Sequence, residues 1–402
     1  MHTFGTIIPL IGGLAIGAGN VFRRKPEFIL SYRPFVNNDA HLVEYYKDVP
    51  YILLDEGGRH TCTVDMMCAT PPCAGLSSLS PSAAFDNPMN EWMYESARYS
   101  LGQVQPRVFF GENSPHLASK MGEPVLNKLR EIGEEHGYTM TLFVTRSILH
   151  GLSQIRNRAF YFFWKEEDRV PVFEYYDRPH ERIEDVIMNT PSSTDDPMSQ
   201  VLTNDKKPTD NPFYRFVLEE VEGGISHQEF SKKIERTTSP MDYLEKAGYT
   251  YDRVHDWMVE RGHDAAAARA KRSFTKLKSG GNIMRKTTEI VKDYIGAFVG
   301  HYPTSTAHPV EDRHLTIREA LEIMKMPRDF MLLGGRKNLN HICQNVPVST
   351  AEDMARNVLM YLDGRIEMMA DAKFMVQDNK TRSIKTLVST RVKDAASLSE
   401  FF

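Results

Sequence analysis

Cysteine is scarce in this chain of 402 residues: Cys62, Cys68, Cys73 and Cys343 are the only four, and no two form a Cys-x-x-Cys pair. That excludes a disulfide framework and a zinc ribbon, so no structural metal is expected. A positive charge excess is missing too. With a net charge of −4 the chain is no polybasic binder, although a local basic groove can exist inside an acidic total. No Lys or Arg precedes the charge-free stretch 4–22, which holds five glycines and one proline and is followed by Arg23-Arg24-Lys25. This order argues against a secretion signal or a membrane span. No internal repeat is visible.

What is present suits a globular protein of two domains. Hydrophobic residues make up 41% of the chain and charged residues 25%, enough to bury a full core. A cytoplasmic monomer without membrane contact is expected. Short apolar runs at Thr6–Ile11, Glu27–Ser31, Tyr51–Leu54, Val64–Cys68, Arg107–Phe110, Thr139–Val144 and Ala159–Trp164 read as strands. Helical stretches at Asp39–Tyr46, Glu91–Leu101 and Pro124–His136 lie between several of them. The alternation predicts an α/β fold with a doubly wound, mostly parallel sheet, whose ligands bind at the carboxyl ends of the strands.

The texture changes near Glu166, with a polar, Pro-rich stretch over 189–212 followed by helical and basic segments. Three parts are therefore expected: a catalytic and cofactor domain over 1–165, a smaller domain over 166–312, and a segment 313–402 that returns to the first. Amphipathic helices are predicted over Thr316–Lys325 and Ala351–Met369. Between Lys271 and Lys286, six cations (Lys271, Arg272, Lys276, Lys278, Arg285, Lys286) accompany Phe274 and Ser279-Gly280-Gly281. Such a run fits a phosphate-tracking loop or a solvated surface equally well.

Three local patterns carry chemistry. After the strand Val64–Cys68, Pro71-Pro72 stiffen the approach to Cys73 and hold its thiol outside the sheet, with Gly75 beyond it; a structural cysteine would sit inside the apolar run, as Cys68 does. After Arg107–Phe110 comes Glu112-Asn113-Ser114, which places a carboxylate at the same sheet edge; it could be a solvated loop acid or a general acid. Gln154-Ile155-Arg156-Asn157-Arg158 leads into Ala159–Trp164, and its alternating arginines either fringe the sheet or bind a phosphate or a carbonyl.

Together these resemble the cytosine-5 DNA methyltransferase family, in matching order. The family's Pro-Cys loop is similar to Pro72-Cys73, its Glu-Asn-Val element to Glu112-Asn113-Ser114, and its Gln-x-Arg-x-Arg element to Gln154, Arg156 and Arg158. Its Arg-x-Leu-Thr-x-Arg-Glu element resembles Arg313-His314-Leu315-Thr316-Ile317-Arg318-Glu319, followed by Met326-Pro327-Arg328-Asp329-Phe330 for Phe-Pro-x-x-Phe. Gln344-Asn345-Val346-Pro347 lies in place of its last element. The resemblance implies a Rossmann-like sheet with a target-recognition domain and double-stranded DNA as partner. S-adenosyl-L-methionine would be the cofactor, held by Gly12, Gly13, Asp55, Asp65, Pro72 and Asn345. It also implies that Cys73 attacks ring carbon 6, Glu112 holds ring nitrogen 3, Arg158 polarises the ring carbonyl, and Arg156 turns to a phosphate or the loop.

Two departures stand out. The first glycine-rich element is Ile8-Pro9-Leu10-Ile11-Gly12-Gly13, without its leading glycine and aromatic, and no acid follows the second strand near Ser31-Tyr32-Arg33-Pro34. A different one-carbon donor, such as one transferring a hydroxymethyl or carboxymethyl group, therefore stays open, as do a catalytically silent DNA-binding relative and an RNA substrate.

Overall fold

The computed structural model describes residues 2–77, 80, 82–203, 206–280, 288–299 and 305–388. The chain divides into two compact units. The first comprises Met1–His180, Met324–Leu333 and Gln344–Phe402, and the second Glu181–Ile323 and Gly334–Cys343.

The first unit is built on nine strands: β1 (Phe4–Ile7), β2 (Ile29–Ser31), β3 (Tyr51–Leu53), β4 (Met66–Ala69), β5 (Val108–Asn113), β6 (Thr139–Arg146), β7 (Asn157–Trp164), β8 (Ala372–Asp378) and β9 (Ser383–Val388). They lie in the order β9-β8-β6-β7-β5-β4-β1-β2-β3. From β3 to β5 all pairings are parallel, and β8 is parallel to β6; β7 runs antiparallel to both β5 and β6, and β9 antiparallel to β8. The chain moves outward from β1 to β3 and then restarts on the other side of β1 with β4. Loops after β1 and β4 therefore diverge, which leaves the crevice where such sheets take ligands. Strands β1 and β4 are wholly buried and, but for Thr6, whose hydroxyl donates to the Cys68 carbonyl, without polar side chains, as expected of parallel strands covered on both faces.

Helices α1 (Gly13–Phe22), α2 (Val36–Tyr45), α3 (Glu91–Tyr99), α4 (Glu123–Glu135) and α5 (Val348–Leu362) belong to this unit. The charge-free stretch 4–22 thus becomes β1, a turn and α1; α1 was not among the predicted helices because its glycines argue against one. Their reason is close packing. A Cβ at Gly13 would stand 2.0 Å from the Val346 carbonyl oxygen, and one at Gly17 would stand 2.5 Å from the Ala351 Cβ. One glycine face of α1 thereby admits the segment leading into α5.

Register between β5 and β7 is locked by aromatic pairs. Phe110 faces Phe162 and Phe109 faces Phe163, with ring centroids 5.1 and 5.8 Å apart. A slip of one residue would send every side chain of β7 to the opposite face.

Boundaries differ from the expected 165 and 312. Residues 166–180 stay with the first unit because Val170-Pro171 pairs with Met368-Met369, the Phe173 N–H donates to Gln377, and the Tyr176 N–H donates to Asn379. Residues 313–323 stay with the second unit. There the Leu202 N–H donates to the Leu315 carbonyl, and Arg318 forks onto Asp196 at 2.9 and 3.2 Å. Arg313 likewise grips Glu319 through two bonds of 2.8 and 3.0 Å, so the Arg313–Glu319 element serves the architecture of this unit. α5 ends at Leu362 rather than Met369, stopped by Gly364 at φ +68°.

The second unit is helical around Phe213, Tyr214, Phe216, Trp257, Met258 and Phe274. Of the basic run, Lys271, Arg272, Lys276 and Lys278 belong to the helix Asp264–Lys278 and not to a loop; Gly281, Arg285 and Lys286 lie outside the described residues. No described helix is long and apolar enough to cross a membrane.

Candidate active site

The loop after β4 is held from three sides. The Thr70 N–H donates to the Ile8 carbonyl, and the buried Asn113 amide reaches the Pro71 and Pro72 carbonyls at 3.4 Å each. Ser114 Oγ donates to the Leu76 carbonyl at 3.0 Å. Cys73, half-buried, is presented between these anchors, whereas Cys68 is sealed inside β4 and burial pushes its thiol up to about 12. Sequence reasoning missed Asn90. Its side chain donates to the Ala84 and Phe85 carbonyls at 3.0 Å each, and Ala84 N–H donates to the Gly75 carbonyl.

Strand β5 brings Glu112 to the same edge. Glu112 lies opposite Phe160 of β7, and Arg158, two residues before Phe160, shares that face. The two form an ion pair. Burial pushes the Glu112 carboxyl above the ordinary carboxylate range, against the opposing pull of Arg158 and Arg156. Arg156, expected to turn toward a phosphate or the loop, is only 1% exposed; its backbone N–H donates to Ser147 Oγ at 2.8 Å.

Behind the arginine strand lies a buried relay that no local motif announced. Thr145 of β6 pairs with Arg158 across the ladder. Its Oγ1 accepts from Asn379 Nδ2 at 3.0 Å and lies 2.7 Å from His150 Nε2. His150 Nδ1 lies 2.7 Å from Asp353 Oδ2 of α5, which also pairs with Arg178. Since the Asp353 carboxylate can only accept, the single imidazole proton sits on Nδ1 facing it, and Nε2 accepts the Thr145 proton. Burial, then the Arg178 charge, lowers the His150 pKa to about 3, so the ring stays neutral. The order Asp–His–hydroxyl is that of a hydrolase triad, yet Thr145, His150 and Asp353 are at most 1% exposed and meet no substrate. They brace the strand that carries Arg158.

At the cofactor edge, Gly12 takes φ +101°, a left-handed conformation that opens the turn into α1. Gly13 N–H donates to Asn345 Oδ1 at 2.9 Å, while Asn345 Nδ2 contacts Met326 Sδ at 3.0 Å. Asn345 therefore acts through Gly13 and caps α1. Asp55 follows β3, and its two carboxylate oxygens accept from the Arg33 N–H at 3.0 Å each. Asp65 is a correction: it stands at the amino end of β4, away from this edge, accepting from the Thr3 N–H at 2.9 Å. Tyr32 and Phe35 pack on Trp92 at 5.0 and 4.8 Å, giving the edge an aromatic wall. Asp39, unremarked in the sequence, lies buried beneath, bonded to the Tyr51 hydroxyl at 3.1 Å and to the backbone of Leu10. A glycine turn beside an aromatic wall fits an adenosyl cofactor, but its ribose would find no free carboxylate after β2. Among the described residues, no group of three or more His, Cys, Asp or Glu side chains is placed to hold a metal ion.

A mixed sheet with helices and a thiol loop at its switch point defines an α/β, Rossmann-like methyltransferase fold. Solved structures agree. The chain superposes on a protein assigned as a DNA modification methyltransferase, encoded in an E. coli prophage, with a TM-score of 0.56, at 14% identity over 90% of this chain and 100% of that one. The methyltransferase EhMeth of Entamoeba histolytica gives 0.52 at 12% identity over 90% and 99%. Residues 52–360 match the C-5 cytosine-specific DNA methylase family, and the chain belongs to it. The type II methyltransferase M.FnuDI of Fusobacterium nucleatum is 27% identical over 35% of this chain and 38% of its own length. M.MjaORF1200P of Methanocaldococcus jannaschii, assigned as a type II methyltransferase, is 23% identical over 73% of this chain and 64% of its own. The chain thus spans less than two thirds of the length of either relative.

Proposed function

We propose that this chain methylates carbon 5 of a cytosine drawn out of duplex DNA, with Cys73 as a covalent nucleophile. The reading is carried by the convergence of the Cys73 loop, Glu112 and Arg158 on one sheet edge. Carbon 5 of an intact cytosine is a weak nucleophile. Addition of the Cys73 thiolate to carbon 6 forms a sulfur–carbon bond and moves ring electrons toward carbon 5, while Glu112 shares a proton with ring nitrogen 3 and Arg158 polarises the ring carbonyl. Carbon 5 then bonds to the incoming methyl, loses its proton to a base, and returns the sulfur–carbon pair to Cys73. Because carbon 6 is shielded within the stack, the base must leave it first.

S-adenosyl-L-methionine, when bound, supplies an electrophilic methyl group. Gly12, Gly13, Asp55 and Pro72 are the residues that would hold it, with Asn345 supporting Gly13 from behind. A second reading, transfer of a hydroxymethyl or carboxymethyl group, is favoured by the commitment of Asp55 to Arg33 and by the lack of an acid after β2. Radiolabelled S-adenosyl-L-methionine decides between them. The covalent step is tested with duplex DNA containing 5-fluorocytosine, which should become cross-linked to the wild-type chain and not to Cys73→Ser. Undiminished methylation by Cys73→Ser would reject the assignment.

A further inference from the structure

The second unit carries a charge feature at odds with the acidic chain around it. In the helix Asp264–Lys278, Arg269, Lys271, Arg272, Lys276 and Lys278 are all exposed, and Asp264 is the only acid. A solvated helix normally places acids three or four residues from its bases. Several cations elsewhere do have acidic partners, near or distant in sequence: Lys25 pairs with Asp48, Arg98 with Glu91 and Glu95, Lys233 with Glu222, and Arg382 with Asp177. Among the described residues, none of the five on this helix has an acidic partner.

Placement adds to the charge. Ala267, Ala270 and Phe274 face the core of the unit. At 100° per residue, Arg269, Arg272 and Lys276 fall within one narrow arc on the far side, next to exposed Ala265 and Ala268. Flanking alanines leave the helix slim there, so a bulky partner can approach its backbone. From Arg269 to Lys276 the stripe runs about 10 Å, the axial length of roughly three phosphates on one strand at about 3.4 Å each. At its amino end the helix borders a cavity of about 500 Å³ lined by Lys206, Lys207, His263 and Arg269. Asp210 and Asp264 also line it; the Asp210 carboxylate accepts from the Lys207 backbone N–H at 2.8 Å.

We propose that the Arg269–Arg272–Lys276 stripe is a surface by which the second unit holds the phosphate backbone of duplex DNA. This rests on the reading of the chain as a DNA methyltransferase and adds which helix face bears the duplex.

The test is the salt dependence of duplex binding, measured by fluorescence anisotropy on the full chain. Each phosphate contact contributes about −0.9 to the slope of log affinity against log salt. Arg269→Gln, Arg272→Gln and Lys276→Gln should each flatten the slope by about 0.9, and the triple variant by about 2.7. Between 50 and 200 mM salt, wild type should then lose about 40-fold more affinity than the triple variant. Arg272→Lys should keep the slope, as should the control Lys25→Gln, and kcat at saturating DNA should not move. An unchanged slope in the single variants, with normal thermal unfolding, overturns the proposal while leaving the methyltransferase reading intact. A slope lost only against single-stranded RNA also overturns it. Absence of any cross-link between wild type and 5-fluorocytosine duplex instead removes the reading on which the proposal rests.

Discussion

Replacing Asp39 by Asn should stabilise the protein, and by more at alkaline than at acid pH. The carboxyl is buried beneath the Pro9–Gly13 turn with the Ser31 and Tyr51 hydroxyls and the Leu10 backbone for company, and among the described residues no cation compensates it. Burial raises its pKa from 3.8 to about 7. In the unfolded chain the group loses its proton near 3.9. A group whose pKa is raised by folding lends stability that is complete below the unfolded value and is lost as pH rises through the folded one. At about 1.4 kcal/mol per pH unit, ionisation costs the folded state on the order of 4 kcal/mol above pH 7. From pH 5 to pH 8 the change is about 2.5 kcal/mol. Asn imitates the neutral acid and does not titrate, so any fixed effect of the substitution cancels between the two pH values. Urea unfolding of both proteins at pH 5 and pH 8 should show Asp39→Asn gaining about 2.5 kcal/mol relative to wild type across that interval. An equal difference at both pH values would mean that the carboxyl ionises as it does in water, and the argument from burial would fail.

Three further outcomes follow from the geometry. Gly13→Ala would set a methyl against the Val346 carbonyl at 2.0 Å, and should cost about 1–3 kcal/mol in denaturant unfolding while weakening S-adenosyl-L-methionine binding by calorimetry. Thr145→Val leaves the buried His150 Nε2 without a partner and takes from Asn379 Nδ2 one of its two acceptors, a cost of about 1–3 kcal/mol; kcat should fall with little change in KM for DNA, and Thr145→Ser should restore it. Asn90→Ala strips the Ala84 and Phe85 carbonyls of their donor and should slow cross-linking to 5-fluorocytosine DNA without altering the Kd for that DNA.

The strands flanking the site were legible because β1, β4 and β5 are buried, near-continuous apolar runs, and the residues after them stand at one edge by the nature of a parallel sheet. Cys73 and Glu112 could therefore be assigned to that edge by order alone, whereas Arg158 reaches it only because β7 runs antiparallel and starts there. α1 was not readable, since Gly13 and Gly17 weaken any local helix signal and make sense only against Val346 and Ala351. The His150–Asp353 relay was hidden for the same reason: its members lie 203 residues apart and share no motif. Asp65 stood second in the run Val64–Cys68, at the amino end of the nucleophile strand, and so on the side opposite the ligand edge from the start. β8 and β9 were overlooked when the amphipathic pattern of α5 was carried past Leu362, although Asp363-Gly364 marks its stop.

The hydrogen bond from Gly13 to Asn345 joins residues 332 positions apart. During synthesis, the first turn of α1 therefore emerges from the ribosome long before the side chain that closes it, with the whole second unit still to be made. Until that asparagine arrives, the Gly13 N–H in the first turn of α1 lacks the side chain that accepts from it. Closure of that turn is thus written into the connectivity of the chain, since it waits on a residue made after the whole second unit.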